Sequence, residues 1–170
     1  MRISAAACTA CLLAFATGPL AAQPPVPASK TVIEQDRLRL SAESLAPGDR
    51  ELRFSVLVEN LGAAPASIAV FHHRVSANRL QAELTDARAV TCLADRTAFG
   101  LADLHRDQPL DTLKAAELTV VPAKSRQRIV FTYADCRLAA DKIAFAAELV
   151  ANGKRWPVSL WGLRALPRAQ

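Results

Sequence analysis

The fold of this chain is decided near its C-terminus, by the stretch Ile143-Ala-Phe-Ala-Ala-Glu-Leu-Val-Ala-Asn-Gly-Lys-Arg-Trp-Pro-Val-Ser-Leu160. Apolar residues recur at every second position on both sides of Asn152-Gly153, and this period is typical of a strand with one buried face. Asn-Gly is a strong signal for a two-residue turn, because both central positions require a positive φ. The stretch therefore predicts an antiparallel β-hairpin.

The turn also fixes the register of this hairpin. The predicted cross-strand pairs are Ala151 with Lys154, Leu149 with Trp156, Ala147 with Val158, and Phe145 with Leu160. The large apolar side chains of both strands then share one face, as a correct register requires. Pro157 lies opposite Glu148 at a non-hydrogen-bonded position, so its missing N–H points away from the partner strand. We therefore expect the last strand to be an edge, or to be bulged, at Pro157.

Shorter alternating runs extend the β pattern over most of the chain. They lie at 31–42, 52–59, 67–71, 80–84, 118–120 and 129–133, with turn residues between them. Short strands separated by regular turns are typical of all-β sandwiches. The predicted fold is an immunoglobulin-like antiparallel sandwich of about seven to eight strands. It includes one long loop at 93–113, part of which we expect to be helical, with Leu101 and Leu104 in the helix and Pro109 ending it.

Two motifs carry a family resemblance. The run Phe54-Ser-Val-Leu-Val-Glu-Asn-Leu-Gly62 ends in Asn-x-Gly, and a Pro-Ala-Lys-Ser turn at 122–125 opens the strand-like run 126–133. Together they resemble bacterial extracytoplasmic immunoglobulin-like domains. The resemblance implies a fold and no activity, because sandwich domains serve many unrelated functions. No tryptophan lies between Cys92 and Cys136, so a bridge between them need not be the disulfide of antibody domains.

The first 22 residues have the layout of a secretory signal peptide. A single cation at Arg2 precedes an Ala- and Leu-rich run, the Gly18-Pro19 break and the small residues before a cleavage site after Ala22. The apolar run is shorter than the roughly 20 residues that span a bilayer, so we expect removal and no transmembrane anchor. We expect a Pro-rich leader at 23–30, the sandwich domain at 31–164 and a tail at 165–170. The predicted localisation is periplasmic or secreted.

After signal removal, Cys92 and Cys136 form an even pair in an oxidising compartment, which favours a structural disulfide. A metal thiolate pair or a redox couple is disfavoured, because both normally show C-x-x-C spacing. The formal net charge of +5 comes from scattered Lys and Arg residues, and such scatter favours solubility over contact with anionic polymers or lipids. We expect no nucleic-acid partner.

No catalytic signature and no glycine-rich phosphate loop is present in the sequence, so we expect neither an enzyme nor a cofactor. The leading hypothesis is an exported binding or assembly module of the cell envelope, whose partner is an envelope protein or polymer. Candidate contact residues are Trp161 on the outer face of the last strand, opposite Ala144, and Phe99, His105 and Arg106 in the loop 93–113. The alternative for this loop is a helical crossover between two sheets.

The alternative function is a small periplasmic hydrolase or a metal-binding carrier. It would use His72, His73 or His105 with loop carboxylates such as Asp103, Asp107 or Asp111. Neighbouring side chains of a strand point to opposite faces, so His72 and His73 could not ligate one ion from regular β structure. Solvated histidines at a strand end are the simpler interpretation.

Overall fold

The computed structural model of the protein describes residues 29–166, except for 49, 77, 99, 106, 115–117 and 140. The predicted signal peptide, most of the leader and the last four residues lie outside the described residues. The strands are β1 (Val32–Gln35), β2 (Leu38–Pro47), β3 (Glu51–Asn60), β4 (Ala66–Phe71), β5 (Ala82–Thr85), β6 (Thr91–Leu93), β7 (Arg96–Ala98), β8 (Ala102–Leu104), β9 (Thr119–Val121), β10 (Arg126–Ala134), β11 (Ile143–Ala151) and β12 (Lys154–Leu163). One short 3-10 helix spans Leu110–Thr112.

These strands form two sheets. The five-stranded sheet has the order β1-β2-β3-β10-β7, and the seven-stranded sheet has the order β6-β5-β11-β4-β8, with β12 beside β11 and β9 beside β4. Strands β4 and β8 run parallel, whereas the other pairs are antiparallel. The prediction of an all-β, immunoglobulin-like sandwich is confirmed. The strand number exceeds the predicted seven to eight, because the 31–42 run is two strands and β6, β7 and β8 are only three residues each.

The core lies between the sheets and is built from the inward positions of the alternating runs. Its largest fully buried side chains include Trp156, Tyr133 and three phenylalanines. The Phe145 ring from the seven-stranded sheet lies 4.7 Å from the Phe54 centroid and 5.3 Å from the Phe131 centroid of the other sheet. Burying each such ring stabilises the fold by about 2 kcal/mol, so the contact between sheets is mainly hydrophobic.

The C-terminal hairpin has the predicted register. All four predicted apolar and turn pairs are formed, and Pro157 lies opposite Glu148. Asn152 and Gly153 have φ values of 50° and 74°, as the turn requires. One detail differs, because the register shifts between Phe145 and Ile143 and the latter pairs with Leu163. The extra residue in β12 forms a bulge at Gly162, whose φ is 73°, so the expected pairing of Trp161 with Ala144 is not formed.

Both sides of the sandwich are tied together across the sheets. On one side, Lys30 and Trp161 exchange two backbone hydrogen bonds of 3.0 and 2.9 Å, which join the chain before β1 to the edge strand β12. On the other side, the chain crosses from β6 to β7, and the Asp95 amide donates to the Thr132 carbonyl at 2.8 Å. The predicted disulfide between Cys92 and Cys136 is confirmed and lies on this side.

The segment 93–113 differs from the expected helix before Pro109. It contains β7 and β8, and its helical turn at Leu110–Thr112 follows Pro109. Leu101 and Leu104 are both buried, but Leu101 packs in the main core and Leu104 in a second cluster outside the seven-stranded sheet. Residues three apart in extended chain point to opposite faces. The three-residue spacing of Leu101 and Leu104 resembles that of one helix face, but it arises because the extended segment buries one leucine on each of its two faces.

Candidate functional site

The outer face of the seven-stranded sheet is only partly covered by the rest of the chain. A second apolar cluster forms on this face from Ala69, Phe71, Leu104 and Val150, and the chain after β8 packs on it through Leu110, Leu113 and Leu118. The covered part lies over β4 and β8. The outer face over β5, β11 and β12 is left as an open cleft, which is the candidate site.

This cleft has a volume of about 390 Å³. Its floor is shallow because β11 presents the small side chain of Ala146 there, and Leu93 and Pro157 add apolar walls. Its polar lining side chains come from the β4–β5 connection and from three strands: His73, Gln81, Glu83, Glu148 and Arg155. Strand alternation places these polar residues outward while their neighbours fill the core.

Glu148 is held from two sides at the centre of the cleft. Its Oε1 is paired with the Arg155 guanidinium, and its Oε2 accepts a hydrogen bond from Gln81 Nε2 at 2.8 Å. The same guanidinium lies 4.8 Å from the centroid of the Phe71 ring, at the border with the covered part of the face. A guanidinium over an aromatic face is attracted by the ring quadrupole. Arg155 is therefore positioned by both a carboxylate and a ring.

One hydrogen-bond acceptor of the cleft is buried without a protein partner, and a carboxylate lies beside it. Gln81 Oε1 is buried and accepts no hydrogen bond, because the Gln81 amide group is committed to Glu148. Glu83 is half-buried and forms no ion pair or side-chain hydrogen bond within the described part of the chain. A buried polar atom without a partner costs free energy that a ligand donor can recover. The cleft thus combines an apolar floor with one unsatisfied buried acceptor and one half-buried carboxylate.

The histidines separate into two places. His73 lines the cleft, whereas His72 Nε2 lies 3.5 Å from Asp103 Oδ2 and its ring lies 5.3 Å from the His105 ring, centroid to centroid. Residues Asp107 and Asp111 are exposed, and neither forms an ion pair with a histidine in the described residues. Across those residues, no group of three or more His, Cys, Asp or Glu side chains is close enough to hold a metal ion as it stands.

Trp161 lies on the outer face of β12 and is half-buried. The Lys30 ammonium lies 5.2 Å from the centroid of its ring, so a cation already covers this aromatic surface. Phe99 and Arg106 lie outside the described residues, and His105 is exposed after β8. Among residues 29–166, apart from the gaps given above, no helix is long and apolar enough to span a bilayer.

Sequence reasoning missed the polar residues of the cleft. Gln81, Glu83 and Glu148 stand at polar positions of alternating runs, where solvent exposure is the ordinary expectation. They meet because β5 pairs with the first half of β11, with Glu83 beside Ala146. For Glu148, the predicted register of the hairpin already places the side chain on the outer face, opposite Pro157. The pairing of β5 with β11 joins residues as far apart in sequence as Leu84 and Phe145, and no local turn specifies it.

The chain matches no known family model and no curated protein. Its fold is similar to that of the copper-bound PCuAC domain from PmoF2, at 11% identity and a TM-score of 0.42 over 80% of this chain and 98% of that domain. The apo PCuAC domain from PmoF1 is 13% identical, with a TM-score of 0.40 over 79% of this chain and 99% of that domain. A PapD-like domain of human CEP192 is 10% identical, with a TM-score of 0.37 over 91% of this chain and 99% of that domain. Similarity at this level assigns no ligand or activity to this chain.

Proposed function

We propose that the protein is an exported, non-enzymatic binding module of the cell envelope, and that its ligand occupies the cleft over β5, β11 and β12. The observation that carries this proposal is the buried, unpartnered acceptor Gln81 Oε1 in a cleft that also presents the Glu83 carboxylate and the apolar floor at Ala146. A ligand with a hydrogen-bond donor and a cation satisfies Gln81 Oε1, pairs with Glu83 and covers the floor.

The chemistry of the cleft favours an extended segment of a partner protein that carries a Lys or Arg side chain. Its ammonium or guanidinium would pair with Glu83, its methylene groups would cover Ala146 and Pro157, and an N–H donor would reach Gln81 Oε1. Sugar recognition ordinarily relies on an aromatic platform. The lining residues of the cleft are aliphatic or polar, and Lys30 covers Trp161. A polypeptide is therefore favoured over an envelope polymer.

The charged groups of the cleft are arranged to hold a ligand. Glu148 is already paired with Arg155 and bonded to Gln81, which fixes it as a structural anion rather than a free base. The buried acceptor geometry is rigid, because Gln81 and Glu148 are also joined through a backbone hydrogen bond of 3.0 Å. Preorganised groups lose little entropy on binding, which favours recognition.

A photo-crosslinking amino acid tests the location of the ligand. It is placed at Ser159, which is exposed on the outer face of β12, and separately at Ser55 on the outer face of the other sheet, and both proteins are expressed in their native envelope. We expect one dominant protein adduct at Ser159 and none at Ser55. Equal adducts at the two positions would contradict the proposal.

The chemistry of the ligand is tested with the crosslinked segment as a synthetic peptide. We expect Glu83→Gln to weaken peptide binding at least tenfold, and Asp141→Asn, a change to an exposed carboxylate elsewhere, to leave it unchanged. Replacing the Lys or Arg of the peptide by Met should produce the same loss. Unaltered affinity in Glu83→Gln would remove the cleft from the proposal.

Export is tested on the full-length chain in its native host. The signal-peptide pattern predicts a mature protein that begins at Gln23 in the periplasmic or culture fraction, and the disulfide supports an oxidising compartment. N-terminal sequencing measures this directly. Intact protein that retains residues 1–22 in the cytoplasm would overturn the proposed location.

A further inference from the structure

The ends of β4 and β8 bring two histidines together. These strands pair in parallel with Phe71 beside Leu104, and the His72 amide donates to the Leu104 carbonyl at 2.9 Å. The residue that follows each strand is a histidine, and the two imidazoles lie side by side, with ring centroids 5.3 Å apart and planes tilted by 44°. The topology therefore places two potential nitrogen donors at one edge of the sheet.

Asp103 lies at the same place with a spacing that suits an ion. The 3.5 Å between His72 Nε2 and Asp103 Oδ2 is long for a strong hydrogen bond. It is close to the roughly 3.4 Å that separates two ligand atoms bound about 2.1 Å from one tetrahedral metal ion. The carboxylate is 58% exposed and the imidazole 21% exposed, so an ion has access from solvent.

One nitrogen of His72 is not committed to a hydrogen bond, and His105 is exposed. His72 Nδ1 is buried and has no hydrogen-bond partner, so no protein contact on that nitrogen resists a small rotation of the ring. His105 is exposed and begins the loop after β8, where its side chain can turn toward the pair. This rotation is required, because the three groups are not yet within ligating distance of one point.

We propose that His72, His105 and Asp103 bind one divalent transition-metal ion of the Zn²⁺ class, with at least one coordination position left for water or a ligand. Two imidazoles and a carboxylate are donors that suit Zn²⁺. The soft donors that select Cu(I) are not part of this group, since Cys92 and Cys136 are joined to each other. This site is separate from the cleft, because His73 and not His72 lines the cleft.

The test is calorimetric titration of ZnCl₂ into the mature, disulfide-bonded protein purified without a histidine tag. We expect one ion per chain. His105→Ala and Asp103→Asn should each weaken binding at least tenfold, and His72→Ala should abolish it. His73→Ala is the matched control, because it removes the adjacent imidazole from the other face, and it should leave Zn²⁺ affinity unchanged.

Cobalt provides a second readout that does not depend on heat. Co²⁺ bound by these residues should give the visible absorption of a four- or five-coordinate ion, and this absorption should be lost in His105→Ala, an exposed position where a folding defect is not expected. Circular dichroism checks that each variant is folded. Absence of Zn²⁺ binding, or equal loss in His72→Ala and His73→Ala, would overturn the proposal. Peptide binding in the cleft would be unaffected by either result, so the two proposals can fail independently.

Discussion

The Asp86 carboxylate accepts a hydrogen bond from the backbone amide of Ala139, with 2.8 Å between Oδ2 and the nitrogen. Asp86 directly follows β5, and Ala139 lies between Cys136 and β11, so this contact closes the same end of the sandwich as the disulfide. The buried carboxylate also accepts from the backbone amides of Arg88 and Val90. These bonds, that of Ala139 foremost, outweigh desolvation and hold the pKa of Asp86 well below its ordinary value of 3.8.

This depressed pKa predicts a specific dependence of stability on pH. A carboxyl group whose pKa is lower in the folded than in the unfolded state stabilises the fold above its unfolded pKa, and the contribution is lost as the pH falls through the folded pKa. Asp86→Asn should therefore lower the urea midpoint at pH 7. The backbone amides now donate to two carboxylate oxygens, whereas the asparagine side chain offers only one acceptor oxygen. The variant's stability should also fall less than that of the parent protein between about pH 5 and pH 2.

The control for this prediction is Asp141→Asn, which changes an exposed aspartate two residues after Ala139. It should reproduce the parent urea midpoint and acid dependence. If the stability of Asp86→Asn falls with decreasing pH as steeply as that of the parent protein, Asp86 does not carry the pH dependence that its contacts predict.

Asn60 explains the Asn-x-Gly motif that the sequence shows at the end of β3. Its buried Nδ2 donates to the carbonyls of Ala64 and Val121, at 2.8 and 3.0 Å, while its Oδ1 accepts from the Gly62 amide at 2.9 Å. A Cβ on Gly62 would lie 3.0 Å from that Oδ1, so the glycine permits the close approach. The side chain therefore ties the turn after β3 to β9.

Replacing Asn60 tests this role by equilibrium urea unfolding. Asn60→Asp keeps the shape but places a carboxylate beside two carbonyl oxygens, and we expect a loss of about 3 kcal/mol. Asn60→Ala leaves the same carbonyls without a donor and should cost about 2 kcal/mol. Asn78→Ala, at an exposed loop position, is the control and should be neutral. A neutral Asn60→Asp would show that the turn does not depend on these bonds.

The parts of the fold that the sequence predicts are those with local determinants. The hairpin at 143–160 is specified by its turn and by alternation, and its register agrees down to Pro157 opposite Glu148. The bulge at Gly162 escapes prediction because one residue of extra chain leaves the apolar pattern nearly unchanged. The short strands β6, β7 and β8 escape it because three residues show no period.

The candidate sites depend on contacts between distant segments. The cleft requires β5 to pair with β11, and the histidine pair requires β4 to run parallel to β8. The sequence separates His72 from His73 correctly by strand alternation, but it cannot place His105 beside His72. Composition alone shows these side chains as ordinary polar residues, because their chemistry arises from the neighbours that the topology supplies.

The Cys92–Cys136 disulfide should contribute strongly to stability, because it closes a loop with a sequence separation of 44. In the chain-entropy description a loop of this size is worth about 4 kcal/mol. The double variant Cys92→Ser and Cys136→Ser should show this loss in urea unfolding. Thiol titration of the parent protein under denaturing conditions should find no free thiol, and two free thiols with unchanged stability would contradict the assignment.

Gly153 should contribute to stability through its backbone alone. Its φ is 74°, and a Cβ built there would contact nothing within 4 Å, so a substitution meets conformational strain but no clash. Gly153→Ala should therefore cost about 1 kcal/mol in urea unfolding, with an unchanged dependence on denaturant concentration. Gly153→Asn is the matched variant and should lose less, because asparagine tolerates the left-handed region better than alanine.

The neighbouring Asn152 anchors the same turn by accepting a hydrogen bond from the Ser67 amide at 3.0 Å, so Asn152→Ala removes both a left-handed preference and a contact to β4. It should cost more than Gly153→Ala, and the reverse order would show that this turn is held by the strands rather than by its own residues.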